Sequence, residues 1–453
     1  MEKIQVDNAV VKQFRSLLQN GNVAELELQL SQMYAQDIAL LIDRLPAADS
    51  REILNLLNKD KVIKVLVEME ESARAHFLSA YTPYEIANNF IEHMDSDDAA
   101  YLLNHLPNKI KEDVIGQLQD IEYASSLLSL TNYEEYTAGS LMALELVKVS
   151  INQTVAECIE EIRRQNENVD NIYVVYVVDD LGRLMGIITL KNLLLAKPNL
   201  LVSEVYNSEV IAVNTSADSE VVANLTKKYD LVVLPVVDVL GRLVGRITID
   251  DVVDVIKEEA DEDYQLMSGI TSDVAPTDSI FDLSKARLPW LIIGLFGGIV
   301  SSRFLGVYES EIQIHPEMAF FIPLIAAMGG NVGVQSSAIV VQGLANDTLG
   351  TKNIGQKILK ELRLALFNGL ICAIIILAYN LIFNDSLELA LTVAIALITV
   401  IIFASVFGTF IPMVLNKVKI DPAIATGPFI TTSNDLLGIV IYFSIGRLMY
   451  QTF

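Results

Sequence analysis

Leu387–Leu415 reads LELALTVAIALITVIIFASVFGTFIPMVL, an apolar run whose one charged residue, Glu388, stands next to its start. A helix crosses the hydrocarbon core of a bilayer in about 20 residues, so this stretch predicts a membrane span and admits no soluble alternative. Four other stretches are apolar and long enough: Trp290–Tyr308, Met318–Leu344 and Ile358–Phe383 before it, Ala423–Tyr450 after it. The segments between them alternate in sign. Lys285 and Arg287 precede the first span, and Glu309, Glu311 and Glu317 follow it. Lys352, Lys357, Lys360 and Arg363 come after the second, Asp385 and Glu388 after the third, Lys417 and Lys419 after the fourth. Basic loops stay on the cytoplasmic side, which predicts a cytoplasmic N-terminus and, with five spans, a C-terminus outside.

The charge is divided as sharply as the hydropathy. Of the net −25, the residues before Pro289 carry −24, with 48 acids against 24 bases. A segment so acidic repels nucleic acid and anionic headgroups and attracts cations; solubility alone would also account for it. Cys158 and Cys372 stand far apart and predict neither a disulfide framework nor a thiolate metal site. Met1–Asp7 lacks a basic stretch followed by an apolar run, so no cleavable signal peptide is expected. The sequence has no phosphate loop ending in Lys-Ser/Thr, no His-Glu-x-x-His, and four dispersed histidines. An enzyme is not expected.

Polar residues inside the spans point to ion passage. The second span contains Gly329-Gly330-Asn331-Val332-Gly333-Val334-Gln335-Ser336-Ser337. Glycines permit local unwinding that turns carbonyls towards a cavity, and they equally serve a small-residue packing face. Asn331 and Gln335 favour the cavity. In the fifth span Asp435 is the one acid well inside a span, which predicts that it faces water or an ion; a buried pair with Arg303 is the alternative. Thr431 lies on the same face one turn earlier, and Pro428 removes a donor that would otherwise occupy a nearby carbonyl. One carboxylate among amides, hydroxyls and carbonyls suits a hard divalent ion, Mg²⁺ or Ca²⁺, in hydrated form. A two-fold dimer would double the charge on one axis.

The soluble part contains a repeat at an offset of 59 residues: Tyr176–Thr189 (YVVDDLGRLMGIIT) matches Pro235–Thr248 (PVVDVLGRLVGRIT). Each copy reads as strand, Asp-x-x-Gly turn, strand, helix. The pattern resembles a tandem pair of CBS domains. Such pairs often hold an adenine nucleotide at a Thr-x-x-Asp step, present as Thr248-Ile249-Asp250-Asp251 in the second copy, whereas Asn192 stands at the matching place in the first. Before Gly139 the leucine spacing is helical, with similar stops at Leu40–Pro46 (LLIDRLP) and Tyr101–Pro107 (YLLNHLP), which predicts a right-handed stack of short helices. Asp95, Asp97 and Asp98 fall at a helix start, where capping explains one or two acids. Asp250–Asp263 holds eight acids against one lysine, a helix that repels itself until cations screen it, or a plainly solvated face.

Together the parts resemble the MgtE family of magnesium transporters. The most specific matches are Gly-Gly-Asn-Val-Gly-Val-Gln from Gly329 and Asp421-Pro422-Ala423 followed by Pro428, Thr431 and Asp435. The resemblance implies a multidomain chain: an all-α superhelical N domain (1–137), an α/β tandem CBS pair (138–200 and 201–259), a connecting plug helix (260–288) and an all-α five-helix transmembrane domain (289–453). It implies a homodimer in the lipid bilayer of the cell membrane, the inner membrane of a bacterium, with Mg²⁺ as cargo and regulator and no nucleic acid partner. The ion pathway would take Asp435, the Thr431 carbonyl, Asn331, Gly330, Gly333 and Gln335. Closure by cytoplasmic Mg²⁺ would use Asp97 or Asp98, Asp218, Asp230, Asp251, Asp254, Glu259, Glu262 and Asp263. An adenine nucleotide at the CBS pair is a further implied ligand. A secondary transporter coupling Co²⁺, Ni²⁺ or Mn²⁺ to protons or Na⁺ is the alternative, and a CBS-controlled receptor that transports nothing is a third reading.

Overall fold

The computed structural model describes residues 6–165, 171–272, 274, 279–345, 354–383, 386–425 and 427–452. Met1–Gln5, Lys352 and Asp385, on which part of the sequence reading rests, lie outside the described residues. The chain forms two compact units, dividing between Ile256 and Lys257.

The first unit opens with short helices running from Asn8–Gln19 to Ile121–Leu130. The leucine-proline stops act as the sequence implies. Ile38, Leu41 and Ile42 are buried on helix Ala35–Ile42, and Pro46 then caps the next helix, Ala47–Leu56. Leu102 and Leu103 are buried on Ser96–Asn104, and Pro107 caps Asn108–Ile115. Proline lacks the N–H that a following helix does not need there, so it closes one helix and opens another.

Two three-stranded sheets follow. The first takes β1 (Lys148–Ser150), β2 (Val174–Val178) and β3 (Leu184–Thr189); the second takes β4 (Val213–Asn214), β5 (Val233–Val237) and β6 (Leu243–Thr248). In each, the first strand is parallel to the second and the second antiparallel to the third. The buried β-branched runs of β2 and β5 occupy the sheet centres. The Asp-x-x-Gly turns are near-identical: Asp179 Oδ1 accepts from Leu181 N and Arg183 N, and Asp238 Oδ1 from Leu240 N and Arg242 N, all at 2.9 Å. Gly182 and Gly241 have φ of 77° and 78°, which only glycine adopts without strain. Leu184 N donates to Gly241 O and Leu243 N to Gly182 O, so each copy bonds the other's turn. One hydrophobic cluster runs from the N-terminal helices into Leu234, Val236, Ile247, Val252 and Val255 of the second copy, whereas the first copy has its own. The second copy is therefore the one set against the helical domain.

The acidic run lies on helix Ile249–Met267, which starts directly after β6. The expected single helix over 260–288 is corrected. This helix stops at Met267, Gly269 turns the chain at φ 80°, and residues 280–288 belong to the first span. That first span is one helix from Ile280 to Val307, running through Pro289; hydropathy missed its start because Asp282, Lys285 and Arg287 lie on it.

The other long apolar helices are Ile322–Ala345, Ile354–Phe383, Leu387–Lys417 and Pro428–Thr452, so that five in all could cross a membrane. The fourth is the most apolar and the most buried, packed against the second, third and fifth; the first packs chiefly on the fifth. The fifth helix begins at Pro428 rather than Ala423, because Pro422–Ala425 forms a separate 3₁₀ turn.

Candidate ion path and acidic cleft

The glycine motif of the second span sits in an unbroken helix. The expected unwinding is therefore corrected, and the reason is packing. A Cβ on Gly333 would fall 1.9 Å from Asn434 Nδ2, one on Gly408 would fall 2.3 Å from Gly333 O, and one on Gly330 would touch Thr431 and lie 3.3 Å from Asp435 Oδ1. These glycines bring the fourth and fifth helices against the second at backbone distance. Gly330, Thr431 and Asp435 thereby meet, while Asn331 and Gln335 are exposed on the same helix, away from its buried glycine face.

Asp435 is half-buried. Among the described residues no ion pair reaches it, and Arg303 lines a groove along the first span with Gly294 and Gly298, so the Asp435–Arg303 pair is corrected too. Pro428 occupies the first position of its helix and frees no carbonyl. Gly427 O accepts from Thr431 N at 3.2 Å and from Thr431 Oγ1 at 3.1 Å. Asn434, which the sequence reading passed over, is 1 % exposed, and among the described residues neither of its amide atoms has a hydrogen-bond partner.

Asp95, Asp97, Asp98, Asp251 and Asp254 of the first unit converge on one cleft of about 850 Å³. Asp97 and Asp98 lie in the first turn of Ser96–Asn104, with Asp95 at the cap. That turn is anchored by Glu145, also passed over, which accepts from Ser96 N at 3.2 Å and Ser96 Oγ at 2.8 Å. Its signal could not be read locally, since 49 residues separate the partners. Opposite stands Asp251, whose Oδ2 accepts from Thr248 N at 3.0 Å and Thr248 Oγ1 at 2.6 Å. The Thr-x-x-Asp step is thus a helix cap that holds the carboxylate towards the cleft.

Burial, then Asp251 and Asp98, pushes the Asp97 carboxyl well above its usual range. Asp98 is pushed up to about 7 by burial, then by Asp251 and Asp95, and Asp251 is raised by burial despite its Thr248 bonds. Both members of the Asp97/Asp98 pair therefore face Asp251. Glu68 and Asp254 also line the cleft. Lys61, Lys64 and Arg246 line it too; Lys61 Nζ donates to Leu30 O at 2.6 Å and Arg246 Nη1 to Asn171 O at 2.9 Å.

The remaining predicted acids do not join this cleft. Asp218 caps one end of helix Ser219–Tyr229 and Asp230 closes the other in the left-handed conformation, φ 51°. Twelve helical steps put them ~18 Å apart, so one ion cannot bridge them. Glu259, Glu262 and Asp263 lie further along the acidic helix. Among the described residues no three His, Cys, Asp or Glu side chains form a ready-made metal cage.

A carboxyl raised in the folded protein stabilises it while protonated. That contribution is full below about pH 4 and is lost as pH rises through about 7. In chelator the full-length protein should therefore melt higher near pH 5.5 than near pH 8.5, and Mg²⁺ should raise the melting temperature mainly at the higher pH. Equal Mg²⁺ shifts at both pH values would contradict this.

A CBS-like pair bonded to a helical domain, and continued by one helix into a bundle of five bilayer-length helices among the described residues, is the architecture of a multi-pass membrane protein with an attached α/β and helical module. The family profile described as a divalent cation transporter matches residues 322–445, that of the MgtE intracellular N domain 33–136, and that of the CBS domain 138–199 and 202–258. The magnesium transporter MgtE of Bacillus subtilis is 31 % identical over 95 % of both chains. That of Thermus thermophilus is 32 % identical over 96 % of this chain and 97 % of its own. Among solved structures, the cytosolic domain of the Mg²⁺ channel MgtE in complex with ATP is 35 % identical, with a TM-score of 0.50, over 54 % of this chain and 99 % of its own. The chain belongs to the MgtE family.

Proposed function

We propose that this chain carries Mg²⁺ into the cell past Asp435 and is closed by cytoplasmic Mg²⁺ bridging Asp97 and Asp98 to Asp251. The observation that carries the regulatory half is the facing of these three carboxylates in one cleft, all with raised affinity for protons. Like charges held this close favour any bound cation, and a cation that binds only the closed arrangement shifts the equilibrium towards it. Asp254, Glu259, Glu262 and Asp263 would extend the effect along the acidic helix, with Asp218 and Asp230 at separate sites. The functional unit is a homodimer, N-termini cytoplasmic and C-termini outside.

The acidic helix also supplies a route to the ion path. A Cβ on Gly427 would fall 2.3 Å from Met267 O, and one on Gly269 2.7 Å from Pro428 Cγ. The end of that helix thus abuts the first turn of the helix bearing Asp435, and a shift in one is felt by the other. Limited proteolysis of the whole protein should show Mg²⁺-dependent protection before Lys257, lost in Asp98→Asn/Asp251→Asn. Identical digestion of the wild type with and without Mg²⁺ would sink the gate.

A relative's cytosolic domain binds ATP, and an adenine nucleotide is a second ligand for this CBS pair. The Thr248–Asp251 step favours it in the second copy. In the first, Thr189 Oγ1 accepts from Asn192 N, and Asn192 stands where the second copy has Asp251.

A further inference from the structure

The third span carries an acid that the transport path does not use. Glu361 lies in the second turn of Ile354–Phe383, between Lys360 and, two residues on, Arg363. Its Oε1 accepts hydroxyl hydrogen bonds from Ser336 of the second span at 2.6 Å and Ser405 of the fourth at 2.5 Å. The two hydroxyl oxygens are 3.0 Å apart, and both serines are buried, 5 % and 2 % exposed. One carboxylate oxygen therefore ties three helices together by short, charge-assisted bonds.

The position of Ser336 gives this tie a consequence for the path. Ser336 shares the buried face of the second span with Gly329 and Gly333, one turn from the contact with Asn434 and Gly408. A helix is rigid in rotation over so short a distance: six residues, about 9 Å, separate Ser336 from Gly330. Whatever fixes the direction of Ser336 also fixes how Gly330 meets Asp435 and where Asn331 and Gln335 point.

We propose that Glu361 is a positioning residue that locks the second span in rotation against the third and fourth, and so sets the gap at Gly330–Asp435 that discriminates among hydrated divalent ions. It touches no ion itself. This rests on the Asp435 path.

The test uses the full chain in proteoliposomes, with Mg²⁺ and Ca²⁺ uptake compared, and thiol labelling of Asn331→Cys in a Cys158→Ala/Cys372→Ala background. Glu361→Ala and, separately, Ser336→Ala/Ser405→Ala should each raise the Ca²⁺-to-Mg²⁺ uptake ratio about fivefold or more and change the labelling rate by a similar factor. Glu361→Gln keeps an oxygen that accepts both hydroxyls, so it should stay within about twofold of wild type. Two results would overturn the proposal. One is Glu361→Gln behaving like Glu361→Ala, which would mean that the charge itself meets the ion. The other is an unchanged ratio and unchanged labelling in the double serine variant. Labelling needs no transport, so a failed Asp435 path, seen as uptake surviving Asp435→Ala, is told apart from a failed clamp.

Discussion

Asp435→Ala should abolish Mg²⁺ uptake in a host that lacks its own Mg²⁺ transport, while the variant still reaches the membrane in normal amount. The carboxylate stands half-buried on the fifth helix, with a glycine opposite and, among the described residues, no cationic side chain paired to it. A divalent ion kept one water layer away, ~5 Å, interacts with a carboxylate by about 7 kcal/mol at an effective dielectric constant of 20. Retaining only a third of that at the rate-limiting position would still mean about a fortyfold loss on its removal. Asp435→Asn preserves shape and removes charge, so it should fall nearly as far. Asp435→Glu keeps the charge but must find room beside Gly330, and some uptake should remain. Normal uptake by Asp435→Ala would refute the path.

The second large effect is expected at Gly408. Its Cβ would meet the Gly333 carbonyl oxygen at 2.3 Å, and a backbone atom inside a helix cannot rotate away. Alanine there must push the second and fourth helices apart, loosening the Ser336–Ser405 contact and the seat of Asn434 together. Overpacking of this kind costs about 1–3 kcal/mol, and spans in lipid have close packing, rather than water exclusion, to hold them. Gly408→Ala should therefore lower the melting temperature of the detergent-solubilised protein by several degrees and Gly408→Val should fail to accumulate. Gly438→Ala is the control. The nearest atom to its Cβ is Val400 Cγ1 at 3.5 Å, an ordinary contact, and alanine gains about 1 kcal/mol of helix propensity. A Gly408→Ala protein as stable as Gly438→Ala would show that the crossing is looser than these distances.

Much of this chain was legible in its residues because the deciding signals are long or repeated. A 29-residue apolar run has one explanation, and a 59-residue offset that repeats Asp-x-x-Gly with its flanking strands leaves little choice of fold. What was missed depends on neighbours in space. Hydropathy reports where lipid is, not where a helix starts, so Ile280 was invisible behind Lys285 and Arg287, and Pro428 read as a missing donor inside a span when it opens a helix. The glycines of the second span could unwind or pack, and only Gly408 and Asn434 across from them decide. Glu361, flanked by Lys360 and Arg363, reads as one more interfacial charge until Ser336 and Ser405 are brought beside it. In the acidic cleft, Asp97 or Asp98 and Asp251 were expected from the family resemblance, but Glu145 and Glu68 lie too far off for spacing to connect them.

The packing of the first span on the fifth has a consequence for how the protein is made. The first span leaves the ribosome more than a hundred residues before its partner, and Gly297, into whose surface Thr432 fits, has nothing to meet until the last helix is synthesised. Until then this helix is held in the bilayer by its own hydropathy alone. A chain stopped short of Pro428 would leave the Gly297 surface without its partner helix, so the first span completes its packing only when the last helix is made.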